Sequence, residues 1–302
     1  MTLVLTLIAA PNGPALSDHA LEHLARDLAA AGIQATAPVW LSDGEAADVE
    51  IIGSDRDTVM SIASQAVTES NVDIGVQPTA GRRKRLLIAD MDSTIIQQEC
   101  IDELADAMGR RDEVSRITER AMRGEIDFEE ALRERAAMLA GLDATAMETV
   151  YLERITLTPG AKTLVATMRA NGAMTALVSG GFTFFSQRVR ERAGFDIDQA
   201  NELFIDDSGQ LTGQVASPIL GKAAKLQALN DLSAERGLDL IETMAVGDGA
   251  NDLAMIEAAG LGVAFHAKPA VAAKADVQVI RNDLTALLFL QGYRRDEFIT
   301  PD

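Results

Sequence analysis

Asp90 and Asp92 close a short apolar run in the stretch LLIADMDSTII, Leu86 to Ile96. Burying an unpaired carboxylate is costly, so two of them at the end of a hydrophobic strand need either solvent or a compensating cation. Two later apolar runs end on residues of equal chemical interest. AMTALVSGG closes on Ser179, Gly180 and Gly181, and TMAVGDG leads through Asp248 to Asn251 and Asp252 in GDGANDLAM. If these strand ends share one edge, the carboxylates of Asp90, Asp92, Asp248 and Asp252 repel one another at neutral pH, and a divalent cation relieves the repulsion. Oxygen-only donors suit magnesium, which keeps several waters and takes few carboxylates. The glycines beside Ser179 let backbone N–H groups approach a phosphate, and the hydroxyl adds a donor. A lysine would offset phosphate charge, and ILGKAAKLQAL offers Lys222 and Lys225. A dication, a phosphate cradle and a free carboxylate nucleophile describe phosphoryl transfer through an aspartyl-phosphate.

The elements that must position these residues follow from periodicity. From Leu86 onward, the strand-like runs RLLIADMD, AMTALVSGG, TMAVGDG and GLGVAF alternate with helical patterns such as AKTLVATMRANG and AKLQALNDLSAERG. That alternation predicts an α/β fold with a doubly wound parallel sheet, ligand chemistry lying at the carboxyl ends of the strands. Between the first two strands a helical stretch at about residues 97–157 is too long for a crossover and predicts an inserted helical cap. Residues 1–80 read as strand, helix, two strands, helix, strand, the order of an α+β ferredoxin-like unit. The basic run GRRKR, Gly81 to Arg85, reads as a solvated linker between that unit and residues 81–302.

Composition narrows the function classes. The chain has 302 residues, 47% hydrophobic and 24% charged, as expected of a soluble globular protein with room for two domains. No apolar stretch approaches the roughly 18 residues that cross a bilayer, and no basic segment precedes the first apolar run, so a cytoplasmic protein is expected. A formal net charge of −19 disfavours nucleic acid and anionic membrane as partners. The single cysteine, Cys100, excludes an internal disulfide framework and is expected to be a half-buried packing residue. His19 and His23 lack a third ligand and read as an exposed pair, and His266 reads as structural.

The motifs DMDST, SGG and GDGANDLAM, in that order, resemble those of the haloacid dehalogenase-like hydrolases. With Glu99, RITERAMRGEIDFEEALRER and VSGGF, the chain is similar to the members of that family acting on phosphoserine, from Leu86 to about Leu290. The resemblance implies Asp90 as nucleophile and Asp92 as general acid and base. It implies magnesium held by Asp90, the backbone carbonyl of Asp92, and Asp248, with Asp252 in support. Ser179, the N–H of Gly180, Lys225 and Asn251 would face the phosphate; Lys222 in place of Lys225 would require a short insertion. Glu99 would pair with the substrate ammonium and Arg135 with its carboxylate, under an apolar lid of Met122 and Phe128. The implied reaction converts O-phospho-L-serine to L-serine and phosphate, closing serine biosynthesis; a phosphatase for another small phosphorylated metabolite is the rival. The first 80 residues resemble ACT-type modules in element order, and a homodimer through that unit is expected.

Overall fold

The computed structural model describes residues 2–67, 71–122 and 125–301, the side chain of Met122 lying outside the described residues. The chain opens with β1 (Thr2–Ala9), α1 (Asp18–Ala30), β2 (Gln34–Ala35), β3 (Val39–Ser42), β4 (Ala46–Ile52), α2 (Arg56–Ala66) and β5 (Val72–Pro78). Both helices start on side-chain caps that satisfy otherwise orphaned N–H groups. Ser17 accepts from the N–H of Ala20 at 3.2 Å, and Asp55 from that of Thr58 at 2.9 Å. Leu21, Leu24 and Leu28 recur at helical spacing and bury α1 against the sheet. The sheet is antiparallel in the order β2-β4-β1-β5, with β3 also paired to β4, so the expected second strand is split in two.

After β6 (Leu86–Ala89) come α3 (Cys100–Ala107), α4 (Arg111–Met122), α5 (Phe128–Ala137) and α6 (Thr145–Arg154), which occupy the predicted cap. The chain continues through α7 (Ala161–Ala170), β7 (Met174–Phe182), α8 (Thr183–Ala193), β8 (Ile197–Asn201) and a hairpin of β9 (Leu203–Ile205) and β10 (Leu211–Val215). It ends with α9 (Lys222–Glu235), β11 (Thr243–Gly247), α10 (Leu253–Ala258), β12 (Leu261–Phe265), α11 (Pro269–Ala272), β13 (Val277–Val279) and α12 (Ala286–Leu290). The second sheet is parallel, in the order β13-β12-β11-β6-β7-β8. Leu87 and Ala89 enter one apolar core and Leu86 and Ile88 another, so β6 is buried on both faces, as a central parallel strand must be. From β6 the chain moves outward through β7 and β8, then returns to β11 on the other side of β6. That reversal opens a crevice at the carboxyl ends of β6 and β11, where a doubly wound sheet binds ligands.

The run Gly81 to Arg85 is only partly the solvated linker its charges suggested: Arg83 and Arg85 are exposed, but Arg82 and Lys84 are drawn inward. Arg82 grips Asp48 through two bonds of 2.6 and 2.7 Å, and donates to Thr6 Oγ1 at 2.9 Å and to the Leu290 carbonyl at 2.9 Å. Lys84 is only 4% exposed and donates to the Ile241 carbonyl at 2.7 Å. Long apolar stems allow Lys84 to be buried and Arg82 half-buried once their heads find acceptors. Ile8, Leu41 and Ala46 join the same core as Leu287 and Leu290, so the first sheet packs against the second unit. Asp73 completes the junction by accepting the N–H groups of Ile280, Arg281 and Asn282. Among the described residues no helix is long and apolar enough to cross a membrane.

Candidate active site

Asp90 leaves β6 beside β11, its N–H bonded to the Val246 carbonyl at 3.0 Å. A tight turn follows, in which Ser93 takes the left-handed conformation at φ 56°. The turn swings Asp92 back toward β7. There its carboxylate accepts the N–H of Cys100 at 2.8 Å and the hydroxyl of Ser179 at 3.2 Å. Ser179 Oγ in turn accepts the N–H of Gly181 at 2.8 Å. On the other side of Asp90, Lys225 projects from α9 wholly buried and donates to Asp90 and, at 2.6 Å, to Asp252. Asp252 also accepts the N–H of Gly249 at 3.0 Å.

Carboxylate oxygens of Asp90, Asp248 and Asp252 lie within 4.8 Å of one another. Their electrostatics record the crowding. Burial, then the charge of Asp252, pushes the carboxyl of Asp90 well above the ordinary range. The same two causes, in the same order, raise Asp248 to about 6. Asp92 is raised by burial, against the lowering pull of its bonds to Cys100 and Ser179. Burial alone would lower Lys225, but Asp252 and Asp90 outweigh it and hold the ammonium above its usual value. Lys225, with Lys268 near Asp248, thus faces a surplus of crowded carboxylates. The oxygen-only donors and their mutual distances fit a hard dication such as magnesium.

A cavity of about 720 Å³ opens above these groups and reaches the cap, where Glu99, Arg135 and Phe128 line it. Burial, then the neighbouring Asp92, raises Glu99 to about 7, and Ser93 donates to its carboxylate at 2.7 Å. Burial lowers Arg135, countered first by Glu99 and then by Asp102.

The structure therefore brings the sequence-derived candidates to one place. Asp90, Asp92, Glu99, Arg135, Gly180 and Asn251 line the cavity, with Asp248 on the same wall. Ser179 and Lys225 lie beneath, bonded to Asp92 and Asp90. Lys222 begins α9 as an exposed residue of the cavity wall. Sequence reasoning missed Asp102 and Lys268 in the wall, which no motif marks, and the N–H of Cys100, whose role depends on where α3 begins. Cys100 itself is buried, not half-buried. The histidines stay outside the cavity: His23 pairs with Asp27 at 3.2 Å, and His266 Nε2 meets the Asn282 carbonyl at 3.0 Å.

A family profile described as haloacid dehalogenase-like hydrolase matches residues 87–257. A phosphoserine phosphatase of Streptomyces coelicolor is 42% identical over 259 residues, which make up 85% of this chain and 63% of that protein. The chain likewise spans 63% and 58% of the phosphoserine phosphatases of Archaeoglobus fulgidus and Mycobacterium tuberculosis, under two thirds in each case. Among solved structures, a hydrolase of the same family from Salmonella enterica serovar Typhi superposes with a TM-score of 0.82 at 29% identity, covering 98% of this chain and 99% of that one. A phosphoserine phosphatase holding an analogue of its phospho-aspartyl intermediate gives a TM-score of 0.64 at 40% identity, covering 68% of this chain and 98% of that one.

Proposed function

Because the chain belongs to the haloacid dehalogenase-like hydrolases, we propose that it hydrolyses O-phospho-L-serine to L-serine and phosphate through an aspartyl-phosphate on Asp90. The observation that carries this reading is a single cavity holding a nucleophile beside a proton donor at one end and opposite charges for an amino-acid head at the other. Those are Asp90 with Asp92, and Glu99 with Arg135.

In this mechanism a carboxylate oxygen of Asp90 attacks phosphorus, while Lys225 opposes the rise that burial and Asp252 impose on Asp90 and offsets charge on the phosphate. Asp92, whose raised pKa favours the protonated form, gives its proton to the departing serine oxygen. It then takes a proton from the water that hydrolyses the aspartyl-phosphate. Ser179, the Gly180 N–H and Asn251 hold phosphate oxygens and the surrounding polar network. Glu99 receives the ammonium, and the planar guanidinium of Arg135 receives the carboxylate through paired bonds. Magnesium, held by Asp90, the Asp92 carbonyl and Asp248 with Asp252 in support, supplies Lewis-acid charge to the phosphoryl oxygens when bound.

On the same reading residues 1–80 form an ACT-like domain and residues 81–302 the phosphatase, its cap inserted at about 97–157, working in the cytoplasm as the closing step of serine synthesis. Two copies pair through the amino-terminal domain. Support for pairing comes from the edge strand β3, where Val39 is 54% exposed. Sedimentation of the full chain as a monomer at all micromolar concentrations would remove the pairing.

Phosphate release from phosphoserine, phosphothreonine and sugar phosphates, with and without magnesium, tests the activity. Phosphoserine is expected to be preferred and magnesium to be required. Asp90→Asn should abolish turnover while leaving the circular dichroism spectrum and melting temperature near those of the parent; substantial residual turnover rules out the covalent route.

A further inference from the structure

We propose that Asn201, with Gly221, is a positioning element for this reaction: it builds the slot on which the cap residue Phe128 seats. The inference rests on the phosphoserine reading above. Asn201 ends β8, away from the motifs that mark the site, and is 3% exposed. Its side-chain amide is nearly saturated. Nδ2 donates to the carbonyl of Gly180 at 2.9 Å and to that of Leu220 at 3.1 Å, and Oδ1 accepts the N–H of Leu220 at 2.7 Å. The bidentate grip on Leu220 mimics one rung of a β-ladder, although Leu220 belongs to no strand. One amide therefore ties the end of β7 at Gly180 to the segment that leads into α9 and Lys225.

The two segments so joined form the floor under Phe128. A methyl group at Gly180 would lie 2.9 Å from Cζ of the Phe128 ring, and one at Gly221 would lie 3.0 and 3.2 Å from Cδ1 and Cε1. The ring thus rests directly on both glycines, with no side chain between. Phe128 opens α5, the helix that also carries Arg135. Seating this ring fixes the height of α5 above Gly180, and with it the distance between the group that grips the substrate carboxylate and the strand end that faces the phosphate. Burial of Asn201 makes sense on these terms. A buried amide is costly unless satisfied, and here its bonds join the end of β7 to the segment before α9.

Gly221 supplies the decisive test, because its backbone is extended (φ −124°, ψ −154°) and alanine can occupy it. Gly221→Ala should raise KM for phosphoserine at least tenfold, change kcat less than threefold, and move the melting temperature by no more than a few degrees. Adding Phe128→Leu, which replaces the ring that the new methyl meets with a shorter aliphatic side chain, should recover most of that KM. Asn201→Asp, which keeps the acceptor and loses both donors, should lower kcat/KM by tenfold or more. Parental KM in Gly221→Ala, or a loss in Gly221→Ala that Phe128→Leu leaves uncorrected, would overturn the proposal. If Asn201→Asp fails to fold, the Gly221 pair still decides. Failure of the parental chain to release phosphate from phosphoserine would overturn the functional reading instead, so the two failures are distinguishable.

Discussion

At Glu99, burial followed by the charge of Asp92 raises the carboxyl from its ordinary 4.5 to about 7. The folded chain therefore holds an extra proton between those values, so the contribution of Glu99 to stability is present at low pH and lost as pH rises through about 7. The ionised form that an ammonium requires is gained over the same window. Since kcat/KM reports the free enzyme, its value for phosphoserine should climb with pH through about 7. In Glu99→Gln that limb should flatten, and the melting temperature at pH 8 should rise relative to the parent; an unchanged pH profile would remove Glu99 from the ammonium contact. Arg135→Ala should raise KM for phosphoserine about 100-fold, near 3 kcal/mol, as expected when one partner of a desolvated charge contact is removed. Turnover of p-nitrophenyl phosphate, which lacks a carboxylate, should change only a few-fold, and steady-state kinetics with both substrates checks the difference.

Helix α5 ties cap stability to substrate recognition. Its first turn is capped by Asp127, which accepts the N–H of Glu130 at 2.8 Å, and its inner face buries Ala131, Leu132 and Ala136. Asp127→Ala should cost about 1 kcal/mol through loss of the cap. Leu132→Ala should cost about 3 kcal/mol, because the cavity it leaves cannot fully collapse. Urea unfolding followed by circular dichroism would measure both. Because Phe128 and Arg135 ride on this helix, Leu132→Ala should also raise KM, whereas a core substitution of similar cost far from the cap should not. The corresponding device in the sheet is β6, which has no solvent face and so delivers Asp90 to the crevice with little freedom of position.

For the whole molecule, the junction between the first and second units is a fixed packing surface. A methyl group at Gly75, in β5, would lie 2.3 Å from Cδ2 of Leu290. Gly75→Ala should force Leu290 aside and cost about 1–3 kcal/mol, the usual range for overpacking. Loosening at this seam should expose the Arg82 to Arg85 segment, so limited trypsin digestion should cut there faster than in the parent. Equal digestion rates would show that the junction tolerates the extra volume. Removing the first unit outright would strip partners from Arg82 and Asn282 and bare the apolar surface around Leu290, so such a truncation tests folding before it tests pairing.

Several features needed only the sequence. The apolar strand runs closing on Asp90, Ser179 and Asp248, and the helices between them, prescribe a parallel sheet with its chemistry on one edge, because strand and helix periods are local properties. Other features were decided by tertiary structure. Lys222 and Lys225 both lie in the first turn of α9, and only the seating of that helix against β6 buries Lys225 on Asp90. The charges of Arg82 and Lys84 read as solvated because their acceptors, Asp48, Leu290 and Ile241, are remote in the chain. Asn201 and Gly221 carry no motif; their part emerges only where Gly180, Leu220 and Phe128 meet. Local pattern determines which groups a segment can offer, while burial and non-local partners decide which are used.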